Sequence, residues 1–381
     1  MKKKRTAQAA GILAVGKRTA PQSQNNLKKQ EPLAKYFPNI RTRREVLKLI
    51  HSNKGLINIF YQWSEKEQED FLDFCTGARG VKMLYDGFFK EVFNPEATPK
   101  RLEELLSLLM QRSLKIKQVL PNDSVRLGAE SSLLYTDIIV QLEDDSLANV
   151  EIQKIGYAFP GERCACYSAD HLLRQYKRVR GEQGKTFSYR NIKNVYTIVF
   201  FEQSPKEFHK YPTEWLHRFH QQSNTGLVLE LLQEYYFVPL DIFRKTMDNK
   251  GIGNELEAWL CFLSSDEPER IEELIIQYPK FKAMYEDIYE MCRNMEEVMS
   301  MYSKELQELD HNTVLYMIDE MQERLNRQDV QLEQKDVQLE QKDVQLEQRD
   351  VQLRQKDAQL EQLTKLVQQL QGQILDLQKK E

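Results

Sequence analysis

Four tandem heptads near the end of the chain leave little choice of local structure: Asp329–Lys335 (DVQLEQK), Asp336–Lys342, Asp343–Arg349 and Asp350–Lys356. Leucine recurs every seven residues at Leu332, Leu339, Leu346, Leu353 and Leu360. A period of seven is close to two helical turns and has no counterpart in a strand, so the segment must be a long helix. A coiled coil needs two apolar seam positions per heptad. In the repeats the second position, three residues after each Leu, is Lys335, Lys342, Arg349 and Lys356, and the valines at 330, 337, 344 and 351 lie nearly opposite the leucines. From Leu360 onward the seam is complete: Leu360, Leu363, Val367, Leu370, Ile374 and Leu377. The repeats therefore read as a weak spacer and the final heptads as the segment that self-associates. The expectation is a homo-oligomer held by a coiled coil over 329–381. For the repeats alone, a solvated single helix is the alternative.

The rest of the 381 residues suffices for about two ordinary domains. The formal net charge of −4 hides an uneven distribution: residues 1–30 carry eight cations and no acid. A local basic stretch of this kind is compatible with phosphate binding despite the acidic total. No apolar run approaches the ~20 residues of a spanning helix, which excludes an integral helical membrane protein. Residues 1–20 imitate a signal peptide, but the apolar part is short, contains Gln8 and leads into Lys17-Arg18. A disordered basic tail is the simpler reading. Five scattered cysteines do not form a disulfide framework and suit a reducing, cytoplasmic setting.

Four zones follow. Residues 1–30 form a disordered basic tail, 31–80 a small helical region, 81–320 the folded body with a helical extension, and 329–381 the heptad-repeat tail. In the body, Val81–Phe93 and Pro99–Arg112 read as helices, then Leu114–Leu120, Tyr135–Leu142 and Asn149–Lys154 as strands. Glu162–Arg180 reads as a helix and Asn194–Phe201 as a buried strand.

Chemistry concentrates around residues 137–153. Strand side chains alternate between faces. One face of the first strand reads Ile138, Val140, Leu142 and the other Asp137, Ile139, Gln141; the second strand splits into Ala148, Val150, Ile152 and Asn149, Glu151, Gln153. A hairpin turn at Glu143–Ser146 brings Asp137 opposite Glu151, and directly opposed Cβ atoms sit about 4.5–5.5 Å apart. Two like charges at that distance repel, and a divalent cation held by hard oxygen ligands is an obvious compensator, as at a Mg²⁺ site. The alternative is that these acids occupy the wet face of the hairpin. The next helix carries Arg163, Tyr167, Arg174 and Arg178 at near-helical spacing, with Lys177 adjacent. Acids for metal followed by cations for phosphate suit metal-assisted phosphodiester cleavage. His209 with His217-x-x-His220, and Cys164-x-Cys166 with His171, lack the partner pairs of a zinc site, so packing or solvated roles are expected. Gly184-Lys185-Thr186 lacks the glycine spacing of a phosphate loop.

The residues Asp86-Gly87-Phe88-Phe89-Lys90-Glu91-Val92-Phe93, Asp137, Glu151-Ile152-Gln153, Arg163-x-x-x-Tyr167 and Trp259-Leu260-Cys261-Phe262-Leu263, in that order, resemble the PD-(D/E)XK nucleases. More closely, they resemble the recombination-promoting nuclease subfamily, often labelled a putative transposase, over about residues 82–305. The resemblance implies an α/β, restriction-endonuclease-like core (helix-strand-strand-strand-helix-strand) with a helical C-terminal extension and coiled-coil tail. It implies a Mg²⁺-dependent DNA endonuclease in which Asp137 and Glu151 bind metal and Gln153 positions water, while Arg163, Tyr167 and Lys177 engage DNA phosphate. Asp86 is the candidate first-helix acid. One departure stands out: the superfamily's Lys is Gln153 here, and the neighbouring Lys154 points to the other strand face. The second reading is therefore a catalytically silent DNA-binding or assembly protein on the same fold.

Overall fold

Side-chain caps fix the start of the first helices. Thr42 and Ser64 each accept a hydrogen bond from the third amide of the helix they precede, while Glu45 and Glu67 reach back to the cap amides; these are reciprocal capping boxes. In a computed structural model that describes residues 31–120, 138–155, 160–248 and 250–378, these caps open α1 (Arg43–Ser52) and α3 (Glu65–Thr76), with α2 (Lys54–Gln62) between them. α3 stops at Gly77, whose φ of 69° is the left-handed conformation that glycine tolerates best. The residues expected to form a small helical region thus are helical. Tertiary contacts divide the chain into two compact units, the first made of Met1–Met83 with Glu257–Tyr302, the second of Leu84–Leu256 with Ser303–Glu381.

The first unit joins α1–α3 to α8 (Glu255–Ser264), α9 (Pro268–Gln277), α10 (Lys280–Met291) and the start of α11 (Met295–Gln378). Its core is aromatic. Trp63 and Phe71 close on Tyr302, with ring centroids 5.0 and 5.5 Å apart, and Phe37 packs on Tyr289 at 5.0 Å. Residues 259–263, noted in the sequence, are all buried here, and the Trp259 ring centroid lies 4.9 Å from that of Phe281.

The second unit runs α4 (Asp86–Val92), α5 (Pro99–Met110), β1 (Ile116–Val119), β2 (Ile138–Leu142), β3 (Leu147–Gln153), α6 (Pro160–Gln183), β4 (Val195–Phe201), β5 (His217–Phe219), β6 (Gln233–Pro239) and α7 (Leu240–Met247). The helix expected from Val81 begins only at Asp86. An aspartate suits the positive end of a helix, and its amide donates to Glu305 Oε2 at 3.1 Å in place of an intrahelical acceptor. The six strands lie in the order β1-β2-β3-β4-β6-β5. β3, β4 and β6 run parallel; the outer pairs are antiparallel. All seven residues of β4 (VYTIVFF) are buried, as a strand covered on both faces requires. The β2–β3 turn closes with the Leu142 amide donating to the Ser146 carbonyl and the Asp145 amide donating to the Leu142 carbonyl, both at 2.9 Å, and Asp145 takes a φ of 64°. No described helix is long and apolar enough to cross a membrane.

Candidate functional site

The hairpin register sets which side chains share a face. Ile138 pairs with Val150 and Ile139 with Asn149, the register that an Asp137–Glu151 pairing requires; Asp137 itself lies outside the described residues. Parallel pairing with β4 then aligns Asn149 with Thr197, Glu151 with Val199 and Gln153 with Phe201. Asn149, Glu151 and Gln153 thus occupy one face, as the alternation predicts. That face is not a wet one. Asn149 and Thr197 are fully buried and Glu151 is 7% exposed.

The cover is α6. Its inward residues Cys164, Tyr167, Ser168, His171 and Gln175 recur at helical spacing and are all buried. Cys164 packs with Val199, Phe201 and Phe237. Ser168 Oγ accepts from Gln233 Nε2 at 3.0 Å, and Gln175 Oε1 accepts from the Lys193 amide at 2.6 Å. The Cys164 thiol is pushed up to about 12 by burial, with the negative charge of Glu151 adding to the effect and Arg163 opposing it. Glu151 therefore faces the first turns of α6. His171 is driven down to about 4, chiefly by burial, with Asp170 opposing and Arg174 assisting, so its ring is neutral at pH 7.

Gln153, two residues beyond Glu151, donates from Nε2 to the carbonyl of Ile155 at 2.7 Å. A backbone carbonyl only accepts, so the amide nitrogen is committed there and Oε1 is the atom able to accept from water or to coordinate a cation. Lys154 points away, as expected from strand alternation. Its ammonium is buried in an ion pair with Glu305 of α11 and lies 3.7 Å from Glu308. Burial pushes the Glu305 carboxyl up, against the pull of Lys154. Asp86 forms an ion pair with Lys90 at 2.7 Å, while its amide meets Glu305. Glu305 therefore ties the start of α4 to the end of β3. Sequence reading missed it, because a glutamate in a charge-rich helix carries no local signal.

Arg163 and Tyr167 meet as a pair. Arg163 Nε donates to the Tyr167 hydroxyl at 2.5 Å, and the guanidinium carbon lies 5.3 Å from the ring centroid. Lys177 is exposed, and fourteen residues of α6 separate it from Arg163, about 21 Å along the helix axis. One phosphate cannot meet both.

The zinc-like clusters disperse. His217 packs between Phe208 and Tyr211, with centroids at 5.0 and 5.9 Å, and His220 is exposed. Cys164 is buried whereas Cys166 is exposed, and all five cysteines are free. Among the described residues no group of three or more His, Cys, Asp or Glu side chains forms a metal-binding cluster. The oxygens of Glu151 and Gln153 are nonetheless hard donors of the kind that bind Mg²⁺ through one or two carboxylates, with water and phosphate completing the shell.

Two outcomes follow for stability. Because the folded-state pKa of His171 lies below its ordinary value of 6.5, its contribution is fully present above pH 6.5 and is lost as pH falls toward 4. Urea unfolding at pH 7 and 4.5 should show wild type losing about 2–3 kcal/mol more than His171→Gln. An equal loss in both would assign the pH dependence elsewhere. Glu305→Ala should cost about 3 kcal/mol by stranding the buried Lys154 ammonium. Lys154→Met combined with Glu305→Leu should recover most of that loss in the same measurement.

No curated protein and no solved structure matches the chain. The family model described as PD-(D/E)XK nuclease family transposase matches residues 83–317, which include α4–α6, all six strands and the Glu151-Ile152-Gln153 segment. The chain belongs to the PD-(D/E)XK nuclease family transposases.

Proposed function

We propose that the protein is a Mg²⁺-dependent DNA endonuclease acting in recombination or mobile-element transactions. The observation that carries this reading is the buried carboxylate of Glu151, two residues before Gln153, on the sheet face covered by α6. Its oxygens are hard donors of the kind that hold Mg²⁺, on the face that also carries Gln153. In the proposal Asp137, the residue preceding β2, and Glu151 are the two carboxylates that hold the cation. When bound, that cation supplies charge stabilisation at the scissile phosphate and a lowered pKa for water. Gln153 Oε1 accepts a hydrogen bond from the attacking water and orients it; an amide oxygen does not take up a proton at neutral pH, so Gln153 is not the general base. Arg163, held by Tyr167, meets phosphate near the cleavage point, and Lys177 meets it farther along the strand.

One observation favours the silent alternative, a DNA-binding or assembly protein. The superfamily's lysine is absent at position 153, and Lys154 cannot replace it while buried against Glu305. Plasmid cleavage separates the readings. With Mg²⁺ or Mn²⁺ the wild-type protein should nick or linearise the plasmid, and EDTA should stop it. Asp137→Ala and Glu151→Ala should abolish cleavage while leaving DNA binding largely intact, and Gln153→Lys should change the rate only modestly. Unchanged nicking by both alanine variants in a contaminant-free preparation would refute the assignment.

We further propose that copies associate through the tail. α11 runs from Met295 to Gln378 as one helix, with Leu360, Leu363, Val367 and Leu370 each about half exposed or more in the single chain. These residues form the complete seam that the upstream repeats lack. Truncation after Lys356 should reduce the mass per particle in light scattering to that of monomers or of a smaller oligomer, and should favour nicking over linearisation. An unchanged number of chains per particle would exclude the coiled coil.

A further inference from the structure

A second site lies on the Glu151 face, two strands away. β4 and β6 pair so that Val199, beside Glu151, aligns with Phe237, and β5 places His217 beside Phe237 and Phe219 beside Tyr235. Strands lie about 4.8 Å apart, so Phe237 is about 10 Å and His217 about 14 Å from Glu151 across the sheet. These residues line a pocket of about 400 Å³ with Phe208 and Tyr211. Gly161 and Ala165 of α6 also line it, and neither bears a side chain large enough to fill it.

The lining is unusual in kind. Six of its side chains are aromatic rings, and none is a branched aliphatic or methionine. Phe208 and Phe237 are buried, while Tyr211 and Phe219 are 58% and 49% exposed. The rings meet edge-on or tilted: His217 lies 5.0 Å from Phe208, and Phe219 lies 5.3 Å from Phe237. Flat π faces around an opening suit a planar ring more than a branched side chain. Glu207 is the one acidic group in the lining, and the exposed cations Lys206 and Lys210 flank it in sequence.

We propose that this pocket receives an unstacked nucleobase of the DNA strand held at Glu151. The proposal rests on the DNA-cleaving reading of Glu151. The aromatic rings stack on the base, and Lys206 and Lys210 meet its backbone. The Glu207 carboxylate accepts from an exocyclic amino group, which adenine and cytosine carry and thymine lacks. Extracting a base from a duplex costs a few kcal/mol, so the pocket selects single-stranded or unpaired DNA over paired DNA.

The test is binding of the full-length protein to short oligonucleotides in EDTA, which removes cleavage from the measurement. Oligo-dA and oligo-dC should bind more tightly than oligo-dT, and a strand containing 2-aminopurine should bind at least tenfold more tightly alone than in duplex, with its fluorescence changing on binding. Tyr211→Ala and Phe219→Ala should each weaken single-strand binding roughly five- to hundredfold, whereas Tyr211→Phe should retain it. Glu207→Gln should reduce the preference over oligo-dT while thermal unfolding shows the variant folded. Wild-type affinity in both alanine variants, or no binding of any oligonucleotide by the wild type, would overturn the proposal. Oligonucleotide binding that both alanine variants weaken, in a wild-type protein that cleaves no DNA with Mg²⁺ or Mn²⁺, would uphold the pocket and reject the nuclease reading. Cleavage of single strands with unchanged rate and affinity in both alanine variants would do the reverse.

Discussion

A carboxylate buried in a parallel sheet must be compensated, and the placement of Glu151 organises much of what surrounds it. The parallel pairing of β3 with β4 carries Glu151 into the covered part of the sheet, and α6 supplies the cover with an inward face that is polar as well as apolar. Ser168, His171 and Gln175 would be poor choices for an ordinary helix–sheet contact. They lie in the same buried layer as Asn149, Thr197 and Glu151, and two of them are tied to neighbouring segments, Ser168 by Gln233 and Gln175 by the Lys193 amide. The neutral imidazole of His171 belongs to the same environment: a low-dielectric layer disfavours an additional charge, so the ring takes up a proton only as pH falls to about 4.

The opposite side of β3 is held by a different device. Lys154 leaves the sheet on the other face and ends in a buried pair with Glu305, whose carboxylate also receives the first amide of α4. A buried ion pair of this kind adds little net stability, but removing either partner strands a charge, so it specifies one arrangement of α4, β3 and α11. It also explains why a lysine next to the expected position of the superfamily's lysine is unavailable for chemistry. α11 continues from this contact into the heptad repeats, which makes the clamp part of the same helix as the proposed oligomerisation segment.

The hairpin was legible because its signals are local. Alternation of Ile138, Val140 and Leu142 against Val150 and Ile152 leaves one workable register, and the acidic turn between them fits the observed Asp145 conformation. The tail was legible because a seven-residue repeat admits only a helix. What could not be read depends on pairs far apart in sequence. Glu305 has no feature that distinguishes it from its helical neighbours until Lys154 is placed beside it. The face carrying Asn149 and Glu151 reads as wet until α6 covers it. β5 is three residues long and contains His217 and Arg218, so it lacks the β-branched run that marks a strand; only its pairing with β6, reinforced by Arg218 with Glu234 at 2.7 Å, reveals it. The aromatic pocket escapes notice for the same reason, since Phe208 with Tyr211, Phe219, and Phe237 lie in three separate segments. The helix assigned from Val81 was too long because an apolar stretch continues through Leu84 and Tyr85, while the helix itself is started by Asp86 and its contact with Glu305.

In the proposed function, Glu151 is the buried carboxylate that holds a divalent cation. Calorimetric titration of Mn²⁺ into the full-length protein, without DNA, tests that role apart from any cleavage assay. Wild type should show a saturable site that disappears in Glu151→Gln, a substitution that keeps the size of the side chain and removes its charge. Equal binding by both proteins, with the variant shown to be folded, would contradict it.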